Sequence, residues 1–226
     1  MTAEYLLLNG LILIGPLALS FDRRVHFVQY WSRLFPAMIL MMIPFIIWDS
    51  LVTGRHWWFN TSYTLPYRIF NLPVEEWLFF ITVPYACIFT WEVLVEYFSN
   101  KEWPSLRLLP IILFTVTVPL ALLALIYGKE YTAIVFFAFG FVFFLDYLLK
   151  TNLFIQRRTY VFLALLTLMM LVFNGYLTAR PVVLYDARYQ LDFRVITIPL
   201  EDFFYGHTLI LGVLIIYEKL KGRRHG

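Results

Sequence analysis

Apolar residues in this chain come in long runs broken by short polar stretches. Seven runs stand out, at about 4–20, 34–53, 75–97, 106–127, 131–149, 159–178 and 201–219. A bilayer core of roughly 30 Å needs about 20 helical residues to cross it. Lipid offers backbone groups no partners, so a spanning segment of this kind is helical. The runs therefore predict an all-α membrane protein with about seven transmembrane helices. Gly15, Pro16, Pro44, Pro84 and Pro119 fall inside them, which membrane helices tolerate. Most connections are short; two are long, at about 54–74 and 179–200.

The pattern repeats at an offset of 126 residues. Glu4-Tyr5 recurs as Glu130-Tyr131, Tyr63 as Tyr189, Arg68 as Arg194 and Pro73 as Pro199. Glu75 recurs as Glu201, Glu76 as Asp202 and Glu92 as Glu218. Helices 1–3 thus match helices 5–7, and helix 4 connects them. The expected division is a first three-helix repeat at 1–100, a connecting transmembrane helix at 101–128 and a second repeat at 129–226. Three helices plus one is an even number, so both halves keep one orientation. Parallel repeats about an axis along the membrane normal are expected.

Composition agrees with a membrane chain: of 226 residues, 61% are hydrophobic and 15% charged, too little polar surface for a soluble domain of this length. The net charge of +3 serves orientation rather than nucleic-acid binding. With the N-terminus outside, the inner side holds Arg23, Arg24, Arg33, Lys101, Arg107, Lys150, Arg157, Arg158, Lys219, Lys221, Arg223 and Arg224. The outer side holds Arg55, Arg68, Lys129, Arg180, Arg188 and Arg194. The excess favours an outer N-terminus and a cytoplasmic C-terminus. Cys87 is the single cysteine, so no intrachain disulfide forms. Glu4 and the lack of a basic cluster near it set the first run apart from a cleaved signal peptide.

Candidate chemistry lies in two acid pairs, Glu75-Glu76 in "LPVEEWLFF" and Glu201-Asp202 in "IPLEDFFY". Proline followed by acids is ordinary helix-start chemistry when met once. Here it occurs twice at equivalent positions, seven residues after an arginine, Arg68 or Arg194, and just before bulky aromatics. An acid deep in a membrane helix costs on the order of 3 kcal/mol. A dry site favours a neutral carboxylic acid, which can donate a proton. A wet one leaves the helix dipole, worth about 0.3–1 kcal/mol, to favour the carboxylate. Adjacent helical residues point about 100° apart. One acid of each pair is therefore expected to face a substrate and the other a supporting partner, with Arg68 and Arg194 as candidate partners.

Aromatic residues make up 20% of the chain, and most serve as core or interfacial belt. Trp48, Asp49, Trp57 and Trp58 lie on the same side as the first acid pair. Trp77 and Phe79 follow that pair, and Phe204 and Tyr205 follow the second. An aromatic wall beside an acid suits a carbocation, which ring faces attract by about 2 kcal/mol or more when dry. Asp49 and Asn174 add polar points at equivalent levels, while Glu92 and Glu218 are expected to pair with inner basic residues. His207 is expected to be a satisfied core histidine. There is no G-x-G-x-x-G, phosphate loop, His/Cys cluster or close pair of aspartates, so no nucleotide cofactor, metal or magnesium-diphosphate site is implied. No lysine stands mid-way along the seventh run for a retinal Schiff base.

The two acid motifs, "WDSLVTGRHWWFN" (48–60) and "FNGYLTARP" (173–181) resemble the small integral-membrane lycopene cyclases, in the form that fuses two subunits into one chain. The resemblance covers nearly the whole sequence. It implies Glu75, Glu76, Glu201 and Asp202 as essential acids, with Asp202 departing from the usual second glutamate. It implies closure of the acyclic ends of lycopene to β-ionone rings, giving β-carotene through γ-carotene with no net redox change and no cofactor. The implied surroundings are the bilayer of a bacterial cytoplasmic membrane, a lipophilic carotenoid as substrate and room for other carotenoid-pathway enzymes as partners. Another carotenoid or ring type, a small proton-coupled transporter and a non-catalytic pigment-binding protein remain alternatives at this point.

Overall fold

A computed structural model describes residues 3–222; Arg223 and Arg224 of the expected inner basic cluster lie outside the described residues. Seven α-helices follow in order: α1 (Glu4–Leu19), α2 (Trp31–Val52), α3 (Val74–Tyr97), α4 (Leu109–Ile126), α5 (Glu130–Leu149), α6 (Arg157–Ala179) and α7 (Leu200–Gly222). Each begins and ends within a few residues of a predicted run, because apolar residues leave the backbone only its own hydrogen bonds in lipid. Six helical segments are long and apolar enough to span a bilayer, which makes this an integral membrane protein.

The first helix is the exception. At 16 residues it measures about 24 Å, short of the roughly 30 Å core. Its lower end is tied off by Ser20, whose hydroxyl donates to the Pro16 carbonyl at 2.7 Å and lies 2.6 Å from the Tyr85 hydroxyl.

The two long connections hold six short strands. β1 (Trp57–Phe59) pairs antiparallel with β4 (Val183–Tyr185); β2 (Arg68–Ile69) pairs with β3 (Leu72–Pro73), and β5 (Arg194–Val195) with β6 (Ile198–Pro199). Two or three residues are too few to show an alternating pattern, which is why periodicity missed them. Each hairpin feeds the start of a helix, α3 or α7. Both turn through a left-handed backbone, at Phe70 (φ 50°) and Asn71 (φ 67°) in one and Ile196 (φ 61°) in the other. Asn suits that geometry; a β-branched Ile is strained there.

The chain is built as two parallel three-helix repeats joined by α4. In β1–β4, Trp58 faces Leu184 and each strand is the repeat counterpart of the other, so a two-fold axis passes between them. The far end of the bundle shows the same exchange. Trp91 Nε1 donates to Glu218 at 2.8 Å, and the Tyr217 hydroxyl donates to Glu92 at 2.9 Å. Lys221 Nζ adds a 2.6 Å bond to Glu92, so these two glutamates pair with a basic residue as the sequence suggested. His207 is likewise satisfied, 3.1 Å from the Thr167 hydroxyl and 2.6 Å from the Phe203 carbonyl.

Two clamps tie the repeats together at the strand-bearing end. Arg180, at the end of α6, binds Glu4 at the start of α1 through two nitrogens, at 3.1 and 2.8 Å, and the Tyr176 hydroxyl donates to the same carboxylate. Its Glu4 bonds hold the Arg180 guanidinium above even its usual range. In the matching place, Glu130 at the start of α5 meets Arg55 and His56 from the loop after α2. His56 stacks on Tyr189, with ring centres 4.3 Å apart. Burial pushes its imidazole below the ordinary range, against the smaller pull of Glu130. Unfolded His56 therefore takes up a proton more readily than folded His56, and stability falls as pH drops below about 6.5. Melting in detergent at pH 5 and pH 7.5 should show this loss in wild type and a smaller one in His56→Gln.

Candidate active site

The strand-bearing end of the bundle encloses a cavity of about 380 Å³. It runs along α3 from Glu76 to Thr90, fourteen positions or about 21 Å of helix. Helices α1, α6 and α7 form its other long walls, and β1 and β4 close its top. Apart from a few polar groups gathered at that top, the lining is apolar and aromatic, as in ligand pockets generally.

Helix geometry divides each acid pair. Glu76 and Asp202 line the cavity. Glu75 and Glu201, 0% and 1% exposed, turn away and accept backbone N–H bonds from the preceding loops. Leu65 N–H donates to Glu75 at 2.6 Å and Leu191 N–H to Glu201 at 2.7 Å. The Thr132 hydroxyl adds a 2.6 Å bond to Glu201. One member thus faces the cavity and its neighbour faces a support, although the support is not the arginine. Arg68 spends its donors on the Leu65 carbonyl at 2.5 Å and the Thr64 hydroxyl at 2.8 Å. Arg194 bonds the Thr197 carbonyl at 2.8 Å and sits over the Tyr185 ring. The β-hairpins carry both arginines past the acids, so each acts one residue removed from them.

Tyrosines bond the cavity-facing acids. The Tyr5 hydroxyl donates to Glu76 at 2.6 Å, and its repeat counterpart Tyr131 donates to Asp202 at 2.7 Å. Asp202 receives two more bonds, from the Tyr185 hydroxyl at 2.7 Å and the Asn174 amide at 3.1 Å. Burial, then the neighbouring Asp202 charge, hold the Tyr185 phenol well above its usual range, so it stays a donor. A third carboxylate, Asp49, also lines the cavity and accepts a 2.7 Å bond from the Tyr205 hydroxyl. The Tyr5/Tyr131 recurrence was visible in the sequence as a repeat marker. Tyr185 has Phe59 as its counterpart, so the repeat gave no signal for it.

Of the aromatic and polar candidates, Asp49, Trp57, Phe79, Asn174 and Tyr205 line the cavity. Four others do not. Trp58 points away from Trp57 and Phe59, as alternate strand residues must, and is 41% exposed. Trp48 packs edge-on against the His56 ring. Trp77 donates its indole N–H to the Ile69 carbonyl at 3.1 Å and braces the first hairpin. Phe204 turns toward α5 and packs on Phe136 and Phe139. Each lies one residue from a cavity-facing position; for Trp48, Trp77 and Phe204 the helical step of about 100° changes the face.

A family model described as lycopene cyclase matches residues 3–94 and 128–220. The chain belongs to the lycopene cyclase family. The two matched stretches each contain one acid pair, and the unmatched stretch between them contains α4. Membership makes this lycopene cyclase family chain an enzyme of carotenoid cyclisation. No curated protein and no solved structure matches it.

Proposed function

We propose that the chain is a lycopene β-cyclase that converts lycopene to β-carotene through γ-carotene at one composite site. The observation that carries this reading is the meeting of Glu76 and Asp202, one from each repeat, in a single apolar cavity. Ring closure needs an acid, a base and dry surroundings, and it consumes no cofactor. Glu76 in its neutral form protonates the terminal alkene, leaving a tertiary cation. The next suitably placed alkene attacks it and closes the ring. Loss of a proton to the second carboxylate leaves the new double bond, and return of that proton to Glu76 resets the site. Asp202 is the base: three donors stabilise its anion, whereas Glu76 has one. Trp57, Phe59 and Phe79 offer ring faces to the cation and no strong nucleophile to trap it.

The excess of Lys and Arg at the opposite end favours an orientation with the acids toward the outer face of a cytoplasmic membrane. Lycopene is about as long as the hydrocarbon core is thick, so a polyene lying along the bundle presents one end at a time. The monocyclic product must leave, turn and re-enter. A time course in membranes with limiting enzyme should show free γ-carotene rising before β-carotene. β-Carotene forming from the first minutes with no monocyclic pool would overturn the release step. A lycopene pool that stays acyclic would overturn the assignment itself.

A further inference from the structure

Among the residues that line the cavity, Leu11 of α1 and Met169 of α6 are also exposed on the protein surface, at 65% and 42%. They stand on facing helices. Above them Leu8 of α1 packs in one cluster with Leu177 of α6, and Arg180 grips Glu4. Leu11 lies seven positions below Glu4, about 10 Å along the helix, and Met169 ten positions below Ala179, about 15 Å. Both levels fall within the hydrocarbon of a spanning bundle. The repeat-related place, between α5 and α2, does not open in the same way. Phe137, the counterpart of Leu11, lines no part of the cavity.

We propose that the slot between α1 and α6 at Leu11 and Met169 is the mouth through which one end of an acyclic polyene passes from the bilayer interior to the acids. This rests on the cyclase reading above and adds a route to it. An apolar substrate dissolved in lipid arrives at mid-membrane depth and never crosses the polar loops. The strand-bearing end can then stay clamped and dry throughout turnover. Because the counterpart of Leu11 on the repeat-related side lines no part of the cavity, both ends of the substrate use the same mouth in succession.

Tryptophan at either mouth position should narrow it without touching the acids. The natural controls are Ile14 on α1 and Val172 on α6, both exposed and neither lining the cavity. Cyclisation by Leu11→Trp and Met169→Trp in lycopene-loaded vesicles should show KM raised about tenfold with kcat largely kept, while Ile14→Trp and Val172→Trp match wild type. A second readout needs no turnover. In a Glu76→Gln background, lycopene uptake from vesicles, followed by quenching of tryptophan fluorescence, should slow with the mouth substitutions and not with the controls. Mouth and control variants behaving alike, with wild type active, would overturn the mouth and leave the cyclase reading standing. Wild type that neither takes up nor cyclises lycopene would remove both.

Discussion

Glu76→Gln and Asp202→Asn should each, singly, stop both ring closures. Lycopene-producing cells carrying either variant are expected to accumulate lycopene, with γ- and β-carotene reduced by about 10²–10⁴-fold, the usual contribution of a positioned acid or base. The amides preserve shape and can still accept the Tyr5 and Tyr131 hydroxyl bonds, so folding survives and the loss reports chemistry. Two independent sites, one per repeat, would behave differently. Each would retain its own pair, and a single substitution would leave roughly half the activity. Pigment extracts therefore distinguish a shared cavity from a duplicated one. Substantial γ-carotene from either variant would count against the composite site.

The buried partners of these acids should answer differently. Glu75→Ala strands the Leu65 N–H in the protein interior, a loss of about 1–3 kcal/mol for that group alone. Much reduced folded protein in membranes is the expected result. Glu75→Gln keeps a carbonyl oxygen in place for the same N–H, and should fold and retain activity within about tenfold of wild type. Glu201→Ala and Glu201→Gln should follow suit, with the Thr132 hydroxyl as a second stranded donor. Yield of monodisperse protein and pigment content, measured side by side, separate the two roles. A Glu75→Gln protein that folds well yet makes no cyclic carotenoid would place Glu75 in the chemistry after all.

The helices were legible because lipid imposes a single demand on a spanning backbone, and the apolar runs meet it from α2 to α7 with little ambiguity. The acid pairs were legible because they repeat and because charge is costly where they stand. What escaped were the relations that only three dimensions supply. Trp57 and Trp58 look interchangeable in sequence, yet strand alternation puts one in the cavity wall and the other outside. Arg68 and Arg194 keep a constant spacing from the acids, yet the intervening hairpins turn their guanidinium groups to loop carbonyls. Tyr185 has no counterpart tyrosine, and β4, paired with β1, carries it to Asp202.

That strand pairing has a consequence for ancestry. Trp58 against Leu184, and Trp91 and Tyr217 each reaching across to the other half's glutamate, describe a self-complementary contact. A gene of half the length, whose product docked with a second copy of itself, would assemble the same frame and the same shared chamber. Joining two such copies through α4 would let the halves diverge, so that the chamber runs along α1 and α6 and not along their counterparts.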